Sequence, residues 1–206
     1  MIELGKYKEF CLSGGAEGAD LKWGKEAEKN GIPVFHLTFE GHVTNADPEQ
    51  LVFLEAYQLL YPAIEKSAYL CNETLKRKYP PRSFHTKKLL MRSVLNSILT
   101  ESIYGVATFE KYLEGDKRYA YNVKGGTAWA FQSMFVKSQL VENELKAYLF
   151  DMKTKHWYKM ETGESHIGQL FSRVDSVPTP TGFWAGVGSR KLEKSGNKAI
   201  ERIWKQ

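Results

Sequence analysis

The chain has 206 residues, of which 42% are hydrophobic and 26% are charged, and these values are ordinary for a globular protein. This length is sufficient to bury one sizeable core, so we expect a single domain over residues 1–206. The sequence has no apolar run of eighteen residues, and its first ten residues lack the apolar segment of a signal peptide. We therefore expect a cytoplasmic protein with no membrane partner.

The net charge of +5 is a weak pointer to an anionic partner. Basic residues cluster only at 76–78, 87–88 and 190–191 and are otherwise scattered, as on an ordinary solvated surface. No basic stripe with interleaved aromatic residues is visible, so a nucleic-acid partner is not expected. Cys11 and Cys71 have no metal-ligand spacing, and neither do the five histidines. We expect reduced thiols, no metal and no cofactor.

Strands and helices alternate in the predicted order, which favours an α/β fold with a mainly parallel sheet and helices on both faces. In chain order the elements are a strand over 8–13, a helix over 18–31, a strand over 32–39, two helical pieces over 48–79 separated at Pro62, a loop over 79–86, a helix over 87–102, a strand over 103–109, a polar hairpin-like loop over 110–124, a helix opened by 125–135, two β runs over 145–151 and 155–160, a linker over 176–182, a strand over 183–189 and a helix over 197–205.

A first glycine turn joins the first predicted strand to the first helix. Gly14, Gly15 and Gly18 permit positive φ and let a ligand approach the backbone closely. The free N–H groups at the start of the helix, together with the helix dipole, attract anions. Ser13 adds a hydroxyl, and Asp20 either accepts bonds from ribose hydroxyls or stabilises the helix N-terminus. The alternative interpretation is a tight structural turn without a ligand.

A second glycine turn opens the helix that follows the polar loop. Gly125 and Gly126 end the loop, and the helix continues from Thr127. The Thr127 hydroxyl is a candidate phosphate donor or, equally, an ordinary helix cap.

A third glycine turn follows the last predicted strand. Gly188, Ser189 and Arg190 lead from that strand into the C-terminal helix, and the Arg190 guanidinium offers a bidentate fork for phosphate or carboxylate. Turns of this kind lie at the carboxyl edge of a parallel sheet, where such folds bind ligands. Three of them in one small domain predict a shared cleft.

Three segments, SGGAEGAD at 13–20, GGTAWA at 125–130 and GVGSRK at 186–191, resemble the signature elements of the SLOG superfamily. This Rossmann-like group includes YpsA-type, DprA and LOG proteins. In its usual order the Gly-Ser-Arg strand comes first, whereas here it comes last. The resemblance therefore implies a circularly permuted, YpsA-like member, and similar proteins are encoded by bacteriophages.

The resemblance implies a nucleotide or NAD-derived signalling ligand of the cyclic-ADP-ribose kind, bound by a sensor or by a phage protein that sequesters host defence signals. It also implies an arginine facing the ligand at Arg92 and a homo-oligomer, for which the apolar helices at 49–75 offer an interface. LOG enzymes carry a catalytic glutamate three residues after the threonine, where this chain has Ala130.

The missing glutamate favours a binding protein over an enzyme. The alternative is an N-glycosidase, either a LOG-like phosphoribohydrolase or an NAD-type glycohydrolase, with Glu17, Asp20 or Glu110 as the replacement carboxylate. A DprA-like nucleic-acid binder is a third hypothesis that the scattered charge disfavours.

Overall fold

The computed structural model describes residues 6–113, 115–162 and 168–205. Within these ranges the chain forms ten strands and six α-helices. In chain order they are β1 (Phe10–Ser13), α1 (Ala19–Lys29), β2 (Val34–Thr38), β3 (Leu51–Phe53), α2 (Ala56–Leu59), α3 (Pro62–Leu75), α4 (Phe84–Ile98), β4 (Ser102–Ala107), β5 (Phe109–Leu113), β6 (Asp116–Val123), α5 (Thr127–Leu140), β7 (Ala147–Asp151), β8 (His156–Met160), β9 (Leu170–Val174), β10 (Phe183–Gly188) and α6 (Lys194–Arg202).

The ten strands form one sheet in the order β3-β2-β1-β10-β4-β7-β8-β9-β6-β5. Neighbours from β3 to β7 pair in parallel, and neighbours from β7 to β5 pair antiparallel. The predicted α/β class with a mainly parallel sheet is therefore confirmed, and the architecture is compatible with a Rossmann-like fold. The histidine at position 166 lies outside the described residues.

Helices cover both faces of the sheet, as predicted. On one face, α1 and α6 pack through a cluster that contains the fully buried Trp23, Trp184 and Ile200. On the other face, α3, α4 and α5 pack through a larger cluster around Met91, Ile103 and Phe131. Strands β1 and β4 at the centre are buried along their whole length, and their residues are mainly apolar because both faces of the sheet are covered.

Strand β10, although last among the strands, lies at the centre of the parallel half, between β1 and β4. If the three-residue edge strand β3 is left out and β10 is counted first, the strands β10, β1, β2, β4 and β7 lie in the order 3-2-1-4-5, which is that of the doubly wound fold. The chain leaves β10 into α6 on one face, whereas α5, on the other face, is the first helix after β4. The switch point at which such folds bind ligands lies between β10 and β4.

Two strands were not predicted. Strand β3 lies inside the stretch expected to be helical, and it has only three residues, paired with the edge of β2. The region 110–124, expected to be a polar hairpin-like loop, forms most of the β5–β6 hairpin, whose polar residues are exposed at the sheet edge. Strand β9 also went unpredicted, since Ser172 and Arg173 interrupt its apolar pattern.

The start of α4 was also predicted wrongly. The helix begins at Phe84, inside the expected loop over 79–86, because the Ser83 hydroxyl accepts a hydrogen bond from the Thr86 N–H at 3.3 Å. A serine that caps a helix in this way ends the loop and starts the first turn.

Replacing Gly186 by Ala tests how tightly α1 packs on the central strand. A Cβ at this position would lie 2.5 Å from the Cβ of Trp23, so the helix or the strand must shift. We expect the free energy of unfolding to fall by about 1–3 kcal/mol. The control is Gly126→Ala, where an added Cβ would meet no atom within 4 Å. Urea denaturation of both variants measures the difference, and equal stabilities would contradict the packing.

Candidate functional site

A cavity of about 530 Å³ lies at the switch point between the carboxyl ends of β10 and β4. This volume is within the usual range for small-molecule sites. Its walls come from the ends of both strands, the N-terminal regions of α1 and α5, and one side of α4. The lining residues are Ala16, Asp20, Thr86, Leu89, Leu90, Arg92, Ser93, Asn96, Ala107, Thr108, Lys124, Gly125, Gly126, Thr127, Ala130, Val187, Gly188, Ser189 and Arg190.

All three glycine turns contribute to this one cavity. Most of the residues predicted from the sequence line it, namely Asp20, Arg92, Gly125, Gly126, Thr127, Gly188, Ser189 and Arg190. The other four predicted residues, Ser13, Gly14, Gly15 and Gly18, are not among the lining residues. Their contacts are within the protein: for example, the buried Ser13 hydroxyl donates to the carbonyl oxygen of Asp20 at 3.2 Å.

Gly18 allows the first and third turns to interlock. It has φ +93°, and a Cβ there would overlap the carbonyl groups of Ser189 and Arg190. The neighbouring Ala19 N–H donates to the Ser189 oxygen at 3.0 Å, and the Ser189 N–H donates to Val106 at 2.8 Å. The backbone of the third turn is therefore fixed by α1 on one side and by β4 on the other.

Gly14 and Gly15 make room for side chains from other elements. A Cβ on Gly14 would overlap the guanidinium of Arg92 and the carboxylate of Asp20. Gly15 has φ +62°, and its carbonyl oxygen accepts a hydrogen bond from the Thr44 hydroxyl at 2.5 Å. These glycines serve the internal packing of the site.

Arg92 is a buried cation whose side chain is only 7% exposed. Its Nη1 donates to the Gly14 carbonyl oxygen at 2.7 Å and contacts Nε2 of His42 at 2.7 Å. Its Nη2 lies 3.8 Å from Oδ2 of Asp20. Its Nε is buried and has no hydrogen-bond partner among the described residues. The arginine predicted to face a ligand therefore lies in the cavity wall with one donor unused.

Asp20 holds the opposite charge in the same wall. Its Oδ1 accepts a hydrogen bond from the Gly188 N–H at 3.0 Å, which ties α1 to the end of β10. Burial raises the pKa of Asp20 to about 6, and the attraction of Arg92 offsets this only in part. The carboxyl is therefore half ionised near pH 6 and mostly ionised at pH 7.

Two histidines lie behind the arginine. Burial, followed by repulsion from Arg92, lowers the pKa of His36 and of His42 to about 4 in each case. Both rings are neutral at physiological pH, so His42 can accept a bond from Arg92. The described cavity lining then carries three cations, Lys124, Arg92 and Arg190, against the single carboxyl of Asp20.

The second turn is held by a residue that the sequence did not single out. Arg77 donates from Nη1 to the Gly125 oxygen at 2.5 Å and from Nη2 to the Val123 oxygen and Oε1 of Glu110, both at 2.8 Å. This clamp positions the first turn of α5. In the described structure no side chain caps the N-terminus of α5 or of α1, whose N-cap residues are both glycine.

The side of α4 that lines the cavity was also missed. Leu89, Ser93 and Asn96 lie on the same helical side as Arg92, because residues three and four apart are neighbours on a helix. The polar residues at positions 92, 93 and 96 were a detectable signal. It was obscured because this side also packs against the sheet and reads as part of an amphipathic helix.

No described cluster of three or more histidine, cysteine or acidic residues is suited to hold a metal ion. Cys11 and Cys71 are buried free thiols. In the part of the chain that the structure describes, no helix is long and apolar enough to cross a bilayer.

No family model, curated protein or solved structure matches this chain. The fold and the cavity themselves define the class: an α/β protein with a mostly parallel mixed sheet and a positively lined cavity at its switch point.

The raised pKa of Asp20 predicts a pH-dependent stability. The ordinary pKa of aspartate in an unfolded chain is about 3.9, so between pH 4 and 6 the folded protein retains a proton that the unfolded chain has released. The contribution to the free energy of unfolding is present below about pH 4 and is lost as the pH rises through about 6. Its size is about 3 kcal/mol.

Denaturation of the native protein and of Asp20→Asn at several pH values between 4 and 7.5 measures this contribution. The difference in unfolding free energy between the two proteins should change across the window. The matched control is Glu17→Gln, which alters an exposed carboxyl three residues away and should give a flat difference. A flat difference for Asp20→Asn as well would contradict the raised pKa.

Proposed function

We propose that the protein binds a phosphate-bearing nucleotide in the switch-point cavity and does not turn it over rapidly. The observation that carries this proposal is the meeting of three glycine turns and the buried Arg92 at one cavity of about 530 Å³. Each turn alone is compatible with a structural role. Their convergence with three cations at the ligand-binding edge of the sheet favours an anionic ligand.

The phosphate subsite lies between the third turn and the starts of two helices. Neither helix has a side-chain cap, and both α1 and α5 begin at this cavity, so the positive ends of their dipoles favour an anion there. Arg190 adds a guanidinium on an exposed loop, where it can form charge-assisted hydrogen bonds to phosphate oxygens. Lys124 adds a further positive charge to the cavity lining.

The carboxyl groups favour binding over cleavage. Hydrolysis of an N-glycosidic bond calls for a carboxyl placed at the reacting carbon, yet the cavity presents the methyl group of Ala130 where LOG enzymes carry their glutamate. Glu17 is exposed, and Glu110 is paired with Arg77 at 2.8 Å. Neither is among the residues that line the cavity.

The second candidate function is an N-glycosidase, and one observation favours it. Asp20 lines the cavity, and its pKa of about 6 would suit a general acid or base near neutral pH. Its hydrogen bond with the Gly188 N–H argues against this role, since the carboxyl is already used to join two elements. Release of free base distinguishes the two functions.

We further propose that the chain is a circularly permuted relative of the SLOG proteins. The support is the strand order, which becomes 3-2-1-4-5 when β10 is counted first. The proposed ligand is then an NAD-derived signal, bound by a sensor in the cytoplasm or by a phage protein that removes the signal from host defence. Nucleic acid is not the proposed partner.

A homo-oligomer is also part of this proposal. The segment expected to supply the interface exposes Phe53, Tyr57, Tyr61 and Tyr69, each more than half exposed. Exposed aromatic residues at this density are typical of interaction surfaces.

Replacing Arg190 by Ala tests the phosphate subsite. We expect binding to weaken by about tenfold to hundredfold, which corresponds to the loss of about 1.5–3 kcal/mol for a charge-assisted bond. Isothermal titration with ADP-ribose, its cyclic forms and nucleoside monophosphates measures the affinity, and chromatography of the titrated samples shows whether the ligand is intact.

The matched control for this titration is Lys191→Ala, which removes an exposed positive charge from the next residue, outside the cavity lining. It should retain binding. Equal losses in both variants would point to general electrostatics, no binding across the panel would refute the proposed function, and rapid release of free base would favour the glycosidase.

A re-ordered chain tests the permutation. Expression from residue 178, with the original ends joined by a flexible linker, places β10 first and retains every strand pairing. We expect this protein to fold with the circular dichroism spectrum of the natural chain, because permutation is tolerated where the new ends fall in an extended connection. A re-ordered chain that stays unfolded under conditions where the natural one folds would count against the proposal.

A further inference from the structure

The side-chain oxygen of Asn96 is a buried acceptor that has no partner among the described residues. Asn96 lies on α4, one helical turn beyond Arg92, and is only 1% exposed. Its Oδ1 is buried and has no hydrogen-bond partner among the described residues. Buried polar atoms in folded proteins are almost always hydrogen-bonded, so an exception calls for an explanation. Asn96 lines the switch-point cavity, where a ligand would provide one.

The cavity lining also includes the apolar side chains of Ala107, Ala130 and Val187. The Ser97 hydroxyl donates to the Ala130 backbone oxygen at 2.7 Å, and the Thr100 hydroxyl donates to the Asn96 backbone oxygen at 2.8 Å. These two hydroxyls, which are close to Asn96 along the chain, therefore do not pair with its side-chain oxygen.

The position of Asn96 separates it from the phosphate subsite. The glycine turns and Arg190 supply donors and positive charge, whereas Asn96 is neutral and lies about 6 Å along α4 from Arg92 at 1.5 Å per residue. A ligand that places its phosphate against the turns would bring its sugar or base toward this side of α4. The amide offers two N–H donors and one carbonyl acceptor to such a group.

We propose that Asn96 is a specificity-determining residue that hydrogen-bonds the non-phosphate part of the ligand. The recognised group both donates and accepts: the vicinal diol of a ribose or the amino-bearing edge of an adenine base. This inference rests on the proposed nucleotide binding. It concerns the sugar or base of the ligand, which the glycine turns do not contact in the proposed binding mode.

A neutral amide suits this role better than a carboxylate. It adds no negative charge beside the phosphate subsite, and it does not ionise near neutral pH. Without the ligand, however, its unpaired oxygen destabilises the fold, because a buried polar group without a hydrogen bond carries its full desolvation penalty. Residues of ligand sites often lower the stability of the free protein, and ligand binding then restores that stability.

Replacing Asn96 by Leu, which has nearly the same shape, separates binding from stability. We expect AMP to bind at least tenfold more weakly to Asn96→Leu, while the ligand-free variant melts at the same temperature as the native protein or higher. Inorganic pyrophosphate should bind both proteins equally, since the phosphate subsite is unchanged.

The matched control is Gln132→Met. Gln132 is another amide with 1% exposure and an unpartnered oxygen, and it lies outside the cavity lining. This variant should bind AMP as tightly as the native protein. If Gln132→Met weakened AMP binding as much as Asn96→Leu, the loss would reflect disturbed packing and the proposal would be overturned.

Three further ligands identify the recognised group. If the native protein prefers AMP over its 2′-deoxy or 3′-deoxy form and Asn96→Leu does not, the amide reads the diol. If the same holds for AMP against inosine monophosphate, the amide reads the amino edge. Equal AMP affinity in the native and Leu variants overturns the role of Asn96 alone, whereas a native protein that binds neither AMP nor pyrophosphate overturns the proposed function as well.

Discussion

The buried guanidinium of Arg92 is the interaction on which the site depends. Its Nη1 joins α4 to the turn after β1 through the Gly14 oxygen at 2.7 Å. The same nitrogen contacts Nε2 of His42, in the loop after β2, also at 2.7 Å. A buried cation is costly unless its donors are satisfied. Asp20 supplies the opposing charge at 3.8 Å, a separation too long for a strong ion pair. The burial therefore leaves both groups short of partners: the pKa of Asp20 is raised, the pKa of Arg92 is lowered, and Nε is unbonded.

The site also depends on the close approach of the turn after β10 to α1 and β4. The turn after β10 is fixed between α1 and β4 because Gly18 and Gly188 carry no side chain: a Cβ on Gly188 would overlap the Val106 oxygen and lie 2.7 Å from the Cβ of Ala19. Asp20 closes the same junction through the Gly188 N–H. Several residues that resemble phosphate contacts in the sequence thus serve to bring two turns together, and the N–H groups of Ala19, Gly188 and Ser189 are used in hydrogen bonds at this junction.

The sequence allowed the parallel half of the fold and the convergence of the glycine turns to be predicted, because both follow from local patterns. Glycine-rich turns in the sequence indicate where strands end, and the carboxyl ends of parallel strands lie at one edge of the sheet. The antiparallel half was harder, since β9 and the β5–β6 hairpin depend on pairing between distant segments rather than on their own apolar pattern. The functions of Gly14, Gly18 and Arg77 could not be predicted either. Each is defined by a contact with a residue more than forty positions away, such as Arg92, Ser189 or Gly125.

The charges in the cavity wall give the site its chemical character. Lys124, Arg92 and Arg190 face one carboxyl that is half neutral near pH 6, and two neighbouring histidines remain uncharged. This balance favours a ligand with at least one negative charge, because such a ligand compensates cations that the protein itself leaves incompletely paired. The same lining includes the apolar methyl groups of Ala107 and Ala130 and the neutral amide of Asn96. An anionic end joined to a neutral, hydrogen-bonding end is the chemistry of a nucleotide, and a wall without a free carboxylate is suited to holding it intact.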